Sequence, residues 1–408
     1  MIEIYKVQTI DGHRIDCTIP SEENVSIDAK ELMLFPALID PHVHFRTPGA
    51  EYKEDWKSAA KAAIAGGVTT VLDMPNNTPA ASTALALQAK EERVKDQLNA
   101  ARIPLRYGFY LGADRRHLQE IPKLKESVVG LKIYMGSSTG DLLIDDAGSL
   151  KDAFQIAAEN DLLVAVHAED EGLIKERSKH FLDRKDPAVH SEIRSPKVAA
   201  LAVEHAIRLA EETKARLYIA HVSTKEELAL IRSAKKRGLR IYAETTPHHL
   251  FLDDSAYAKL GTLALVNPPL RSKQEREAVW EAIHDETIDT IGTDHAPHTL
   301  EEKQKPYGSA PSGFPSIEFY FALLLNAHAE KKLSLEQIVS LTHTRPQEIF
   351  RLPIDDDIVL VDLSEKRTLG NSMIRSKAGW SPYLGMALQG WPRYTVCKGR
   401  LFDLHHIA

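Results

Sequence analysis

Eight short apolar stretches bounded by turn residues recur along the chain: Leu34–Asp40, Gly67–Met74, Pro104–Leu111, Val128–Met135, Leu162–His167, Ala215–His221, Leu239–Ala243 and Ile288–Thr293. They are rich in Val, Ile, Leu and Tyr with little polar alternation, as in parallel strands covered on both faces. Helix-forming sequence separates most of them. Asp55–Ala65 runs into Gly66-Gly67 as a C-terminal stop, and Ser82–Ala101, Leu150–Asn160, Ser195–Glu212, Thr224–Lys236 and Glu275–His284 follow. Within Ser195–Glu212, Val198, Leu201, Ala202, Ala206 and Leu209 keep the spacing of one buried face. This alternation predicts an α/β fold of the TIM type, a closed (β/α)8 barrel that places active sites on loops at the strands' C-terminal ends. An open doubly wound sheet is the competing reading, but no G-x-G-x-x-G or Walker loop follows the first strand.

The 408 residues exceed the roughly 250 that one barrel needs, so a smaller second unit is expected. Met1–Ile10, Ile358–Leu363 and Tyr394–Phe402 read as short strands, and the two termini are expected to pair into one small β domain. The expected division is residues 1–36 with 353–408 for that domain and 37–352 for the barrel. Ile317–Lys331 and Ser334–Phe350 read as further helices.

Composition narrows the function. The basic residues are scattered and the formal charge is −7, which argues against a nucleic-acid surface. No apolar run approaches the ~20 residues of a membrane span, and the start Met1-Ile2-Glu3 lacks the basic and apolar regions of a signal peptide. The two cysteines, Cys17 and Cys397, are too far apart in sequence for a CxxC site, so neither a disulfide framework nor a thiolate metal site is expected. A soluble protein of the reducing cytoplasm fits. The 18 histidines point toward chemistry, because neutral imidazole is the commonest metal ligand.

The first candidate strand leads into Pro41-His42-Val43-His44, whose two imidazoles point to one side of an extended chain. His167 closes the fifth candidate strand, His221 the sixth and Asp294 the eighth. Residues distant in sequence but each at the C-terminal end of a barrel strand converge on one mouth. Lys132 lies inside the fourth strand, where an unpaired ammonium is costly. It either snorkels from the strand end or is carboxylated, its carbamate bridging two metals. Charge favours the carbamate. Two divalent ions, one aspartate, four neutral imidazoles and a bridging hydroxide leave an excess of positive charge, which a carbamate lowers while supplying two hard oxygens.

With these residues in place the chain resembles the dihydroorotase family of the cyclic amidohydrolase superfamily, from about Leu34 to Phe350. The resemblance rests on Asp40-Pro41-His42-Val43-His44-Phe45-Arg46-Thr47-Pro48-Gly49, Asp73-Met74-Pro75-Asn76-Asn77-Thr78-Pro79, Gly130-Leu131-Lys132, Val166-His167-Ala168-Glu169, Ala220-His221-Val222, Glu244-Thr245-Thr246-Pro247-His248-His249-Leu250, Asn267-Pro268-Pro269-Leu270-Arg271 and Thr293-Asp294-His295-Ala296-Pro297-His298. It implies interconversion of dihydroorotate and N-carbamoyl-aspartate in pyrimidine synthesis. It implies two zinc ions, one on His42 and His44 and the other on His167 and His221, bridged by carboxylated Lys132 and hydroxide. Asp294 is implied as both ligand and catalytic base, and Arg46, Asn76, Asn267 and His298, with backbone near Gly313, as holding the substrate. Some bacterial relatives replace the lysine with an aspartate from the following loop, for which Asp145-Asp146 would be the candidates here; Gly130-Leu131-Lys132 matches the lysine-bearing branch. The region before Leu34 is shorter than the family leads one to expect.

Dihydroorotate carries a ring carboxylate that hydantoin, dihydrouracil and allantoin lack. Arg46, two residues after His44, can grip it bidentately; the bland alternative is a surface arginine pairing with Glu51 or Glu54. Asn76 offers a donor and an acceptor to an imide-like edge, or is a turn residue before Thr78-Pro79. Gly136–Asp141 has the composition of a mobile loop, with Ser138 and Thr139 placed to close over the site, or is an ordinary connection that caps the next helix. His205 is expected as a core histidine, and His248 and His249 as support for the site. The rivals are an allantoinase, hydantoinase or dihydropyrimidinase with the same metals, and an inactive scaffold for aspartate transcarbamoylase. A homodimer and association with that enzyme are left open, and no nucleic-acid or membrane partner is expected.

Overall fold

The structure, a computed structural model, describes residues 1–137 and 142–405. Four strands come first: β1 (Ile2–Gln8), β2 (Arg14–Ile19), β3 (Val25–Asp28) and β4 (Met33–Pro36). Eight parallel strands follow, β5 (Leu38–Val43), β6 (Val68–Asp73), β7 (Arg106–Gly112), β8 (Gly130–Tyr134), β9 (Leu163–His167), β10 (Arg216–Ile219), β11 (Ile241–Thr245) and β12 (Thr290–Ile291), each hydrogen-bonded to the next. A parallel bridge between Val43 and His295 joins the two ends of this sheet and closes the barrel. Most barrel-strand positions are buried, which is why the strands read as unbroken apolar runs rather than alternating ones.

The helices between them begin where short polar side chains can take up the first amides. Asp55 accepts from the amides of Lys57 and Ser58 before Trp56–Ala65, and Thr224 and Glu227 form a reciprocal capping box before Lys225–Lys236. Gly66 and Gly67 end the first of these helices for a packing reason. A Cβ on Gly66 would lie 2.1 Å from the Ile317 carbonyl oxygen, and Gly67, at φ 73°, is within 3.3 Å of Phe321 and Val359 at the same position. The helix Pro196–Thr213 buries Val198, Ala202, Ala206 and Leu209 as expected, but Leu201 is 38% exposed and His205 only half-buried. A face read from five spacings was one residue too wide.

The first apolar run proved to be two strands. The Ala37 amide donates to the Asp357 carbonyl and the next amide, Leu38, to Gly67, so the chain leaves one sheet and enters the other between consecutive residues. Pro36, which has no amide to donate, stands at the crossing. The second sheet takes β1 to β4 together with β13 (Ile358–Thr368), β14 (Ala387–Cys397) and β15 (Arg400–Asp403), in the order β15-β14-β13-β4-β1-β2 with β3 also on β1. It is built from both termini as expected, although β13 and β14 have 11 residues each and are not short. The turn from β14 to β15 passes through Lys398 and Gly399, both at positive φ, the pairing that suits a tight hairpin. Ile2, Ile4, Val7, Leu360 and Val396 fill one side of this sheet, and the Arg106 guanidinium on Asp357 (3.0 Å) ties it to the barrel. Among the described residues no helix is long and apolar enough to cross a membrane.

Behind the mouth lies a buried ion pair. Lys90 Nζ stands 2.5 Å from Asp73 Oδ2, and it also donates to the Met74 carbonyl and Asn77 Oδ1, both at 2.9 Å. Asp73 in turn accepts the Phe45 amide at 2.8 Å, fixing the backbone just after His44. Lys90→Met strands a carboxylate in the core, so a stability loss of about 3–5 kcal/mol is expected in urea unfolding. An unchanged midpoint would mean that Asp73 is protonated and the pair is no ion pair.

Candidate metal centre

β5 brings His42 and His44 to the barrel mouth on one side of an extended strand, and the loop after β12 brings Asp294 between them. Asp294 Oδ1 lies 3.3 Å from His42 Nε2 and 3.1 Å from His44 Nε2. One ligand atom from each of the three lies within 4.8 Å of the others, a spacing that one ion can bridge. Next to them His167, the last residue of β9, and His221, just beyond β10, set Nδ1 and Nε2 2.9 Å apart. The His42 and His221 rings are 5.5 Å apart, so the two sets share one mouth. Lys132, in the middle of β8, is fully buried, and its Nζ has no hydrogen-bond partner among the described residues. It lies 5.2 Å from the centre of the Tyr134 ring.

Burial governs the charge states. It keeps His44 neutral, pulling it down to about 4, and drives His221 well below its ordinary value with help from His167 and Lys132. Neutral imidazole is the form that binds a metal. Burial also lowers Lys132 to about 8, although Glu244 and Asp294 act in the opposite sense. Burial alone would raise Asp294; His42 and His44 outweigh it and hold this carboxyl well below its usual range. Four imidazoles, a carboxylate and an unpartnered buried amine form a donor set that fits borderline divalent ions, and their proximity leaves the amine a reason to be modified.

A surrounding layer of polar groups, largely missed by sequence reasoning, orients these side chains. Glu244, near the end of β11, takes His42 Nδ1 on Oε1 at 2.7 Å and the His221 amide on the same oxygen at 3.1 Å, while Tyr218 donates to its Oε2 at 2.7 Å. A carboxylate on the far nitrogen fixes the imidazole tautomer and leaves the other nitrogen for a metal. The signal was a glutamate closing an apolar strand. Glu169 does the same for His167 Nε2 at 3.0 Å and is clamped by Arg194. Burial would raise Glu169, but Arg194 and His167 bring it down to about 2. Asp40 accepts the Thr293 amide (2.9 Å) and hydroxyl (2.5 Å), locking β5 to the segment that carries Asp294. Arg46, His221 and Asp294 all adopt positive φ (60°, 42° and 45°), a strain of about 1–3 kcal/mol each that the surrounding hydrogen bonds must sustain.

The expected substrate residues gather at the same mouth. Arg46 is 6% exposed and does not pair at the surface; its Nε donates to the Pro297 carbonyl at 3.0 Å and its Nη2 lies 3.2 Å from His298 Nε2. Asn76 Oδ1 meets His44 Nδ1 at 2.7 Å. A Cβ on Gly313 (φ 142°) would touch the Ala296 carbonyl oxygen at 2.4 Å and His298 Cδ2 at 3.1 Å, so only glycine lets this backbone approach. Gly313 also donates to the Leu265 carbonyl, two residues before Asn267, whose Oδ1 meets His190 Nε2 at 2.8 Å. Ser138 and Thr139 lie outside the described residues. Asp145 and Asp146 are engaged elsewhere, by Arg115 at 2.7 and 3.2 Å, and Asp146 also caps Ala147–Glu159. His249 is held by Thr246 Oγ1 at 2.9 Å, while neither nitrogen of the buried His248 has a hydrogen-bond partner among the described residues.

A closed parallel barrel carrying buried imidazoles, a carboxylate and a buried lysine at the C-terminal mouth is the construction of a metal-dependent hydrolase. Residues 33–401 match the amidohydrolase family. The chain is 37% identical over 401 residues to the dihydroorotase of Halobacterium salinarum, covering 96% of this chain and 91% of that one. It is 35% identical over 397 residues to the dihydroorotase of Bacillus subtilis, covering 95% and 90%. The chain belongs to the amidohydrolase family. Among solved structures it superimposes on the L-hydantoinase of Arthrobacter aurescens with a TM-score of 0.91 at 26% identity, covering 98% of this chain and 96% of that one.

Proposed function

We propose that the chain is a dihydroorotase, interconverting dihydroorotate and N-carbamoyl-aspartate, with two zinc ions at the mouth. His42 and His44 would hold one ion, His167 and His221 the other, and carboxylated Lys132 would bridge them with Asp294 as a further ligand. The observation that carries this reading is the buried Arg46 guanidinium beside His298, a cationic grip that a ring without a carboxylate does not need. The bound ions supply Lewis acidity toward the ring carbonyl and toward water. In hydrolysis Asp294 takes a proton from the attacking water as the oxygen–carbon bond forms, and returns it to the ring nitrogen as the carbon–nitrogen bond breaks. Arg46 and His298 hold the carboxylate, and Asn76, Asn267 and the backbone at Gly313 hold the ring edge, so that the scissile carbonyl faces the water. Association with aspartate transcarbamoylase remains a separate proposal, for which a co-purification assay is the test.

Turnover of dihydroorotate against hydantoin and allantoin, measured with the metal content of the same preparation, tests the assignment. Preference for dihydroorotate is expected, and equal turnover of hydantoin would sink it. Arg46→Met removes one or two charge-assisted hydrogen bonds, so kcat/KM on dihydroorotate is expected to fall about ten- to several-hundred-fold. Unchanged kinetics would leave the guanidinium with no part in binding.

A further inference from the structure

A third basic group stands behind the carboxylate grip. Lys53 Nζ lies 3.0 Å from His298 Nδ1 and 3.1 Å from Glu302 Oε1, and Tyr52 donates its hydroxyl to the same Glu302 oxygen at 3.0 Å. We propose that Lys53 is a positioning residue that fixes the tautomer of His298, so that the Nε2–H of the imidazole and the Nη2 of Arg46 present paired donors to the substrate carboxylate. The inference rests on the reading of Arg46 and His298 given above.

An ammonium has only hydrogens to offer, so where it meets an imidazole nitrogen that nitrogen must be the acceptor. Nδ1 therefore carries the lone pair and Nε2 the hydrogen. Nε2 itself lies between an acceptor, the Ser312 carbonyl at 3.1 Å, and a donor, Arg46 Nη2 at 3.2 Å, so the contact of Lys53 with the other nitrogen decides between the two tautomers. In that state the 3.2 Å contact between His298 Nε2 and Arg46 Nη2 is donor beside donor. Such a pair gains from an anionic oxygen between them, which is what the substrate brings. Glu302 keeps the ammonium in place: its carboxylate lies against Lys53 and Tyr52, and its second oxygen, 3.7 Å from His298 Nδ1, is farther from the ring than Lys53 is. Burial lowers His298 to about 3, and Arg46 and Lys53 lower it further than Glu302 raises it, so the ring stays neutral at working pH.

The test compares wild type, Lys53→Met and Lys53→Arg in two ways. Nitrogen NMR of protein labelled with 15N-histidine, with the His298 signals identified by their loss in His298→Gln, reads the tautomer directly. Steady-state kinetics read its consequence. In Lys53→Met the His298 ring is expected to leave the single Nε2–H state, and KM for dihydroorotate to rise about tenfold or more while kcat changes by less than about threefold. Lys53→Arg, still a permanent donor, is expected to recover most of both readouts. A tautomer identical in wild type and Lys53→Met overturns the proposal, as does a changed tautomer with an unchanged KM. A wild type that fails to turn over dihydroorotate defeats the functional reading instead, and the tautomer comparison still decides whether Lys53 governs His298.

Discussion

Lys132→Ala is expected to lower turnover of dihydroorotate by about a thousandfold or more, and to reduce the bound metal below two ions per chain. Lys132 Nζ is fully buried in β8 without a hydrogen-bond partner among the described residues. An ammonium left so would cost several kcal/mol, far more than the ring of Tyr134 returns. Burial brings its pKa to about 8, which leaves part of the population as free amine near neutrality. The free amine is the form that adds carbon dioxide: a nitrogen–carbon bond forms, one proton leaves, and the product is an anionic carbamate with two oxygens. That exchange turns an unpaired donor into a two-point acceptor amid four imidazoles. Carbon NMR of protein equilibrated with 13C-bicarbonate should show the carbamate in wild type and not in Lys132→Ala, and propionate should restore part of the activity of the variant. A Lys132→Ala protein with two metals and full turnover would end the bridging role. The aspartate alternative is weakened already, because Asp145 and Asp146 are bound to Arg115 and to a helix start.

The sequence disclosed what periodicity and strand ends can disclose. His42, His44, His167, His221 and Asp294 could be placed together because each stands at the end of a run of apolar residues long enough to be a buried strand, and a barrel makes all such ends neighbours; Lys132 stood out instead as a lysine inside such a run. That the apolar run Leu34–Asp40 is two strands was not readable, because only the partners of two consecutive amides separate them. Glu244 and Lys53 escaped for a different reason. Each acts through a residue far away in sequence, His42 lying 202 positions from Glu244 and His298 lying 245 from Lys53. A glutamate at a strand end or a lysine among acidic neighbours reads as solvated surface until the fold supplies the partner. Leu201 shows the converse, since an apolar residue at a plausible helical spacing need not be buried.

Asp294→Asn is expected to abolish both hydrolysis and ring closure, by about 10²- to 10⁴-fold from the lost proton transfer alone and by more if a metal is lost with it. An amide at this position keeps a carbonyl oxygen between His42 and His44 but can neither take a proton from water nor return one to nitrogen. The reaction itself fixes the sign of the pH dependence. Hydrolysis turns a ring amide into a carboxyl group with an ordinary pKa of about 4, so near neutrality each turnover releases one proton and each closure consumes one. Higher pH therefore favours the open product and lower pH the ring. In rates, hydrolysis needs the Asp294 carboxylate and closure starts from its protonated form, so the wild-type profiles should run in opposite directions, with the ionisation shared between Asp294, itself held well below its usual range, and the attacking water rather than owned by either. In Asp294→Asn the ratio of the two rates must still follow that equilibrium, so the expected change is a fall in both absolute rates, and metal analysis on the same sample separates loss of the proton carrier from loss of a ligand. A variant that keeps its metals and its turnover would show that another group carries the proton. His298, four residues on, would be examined first, but its nitrogens already face Lys53 on one side and Ser312 and Arg46 on the other, so it could act only by giving up the tautomer that those contacts impose.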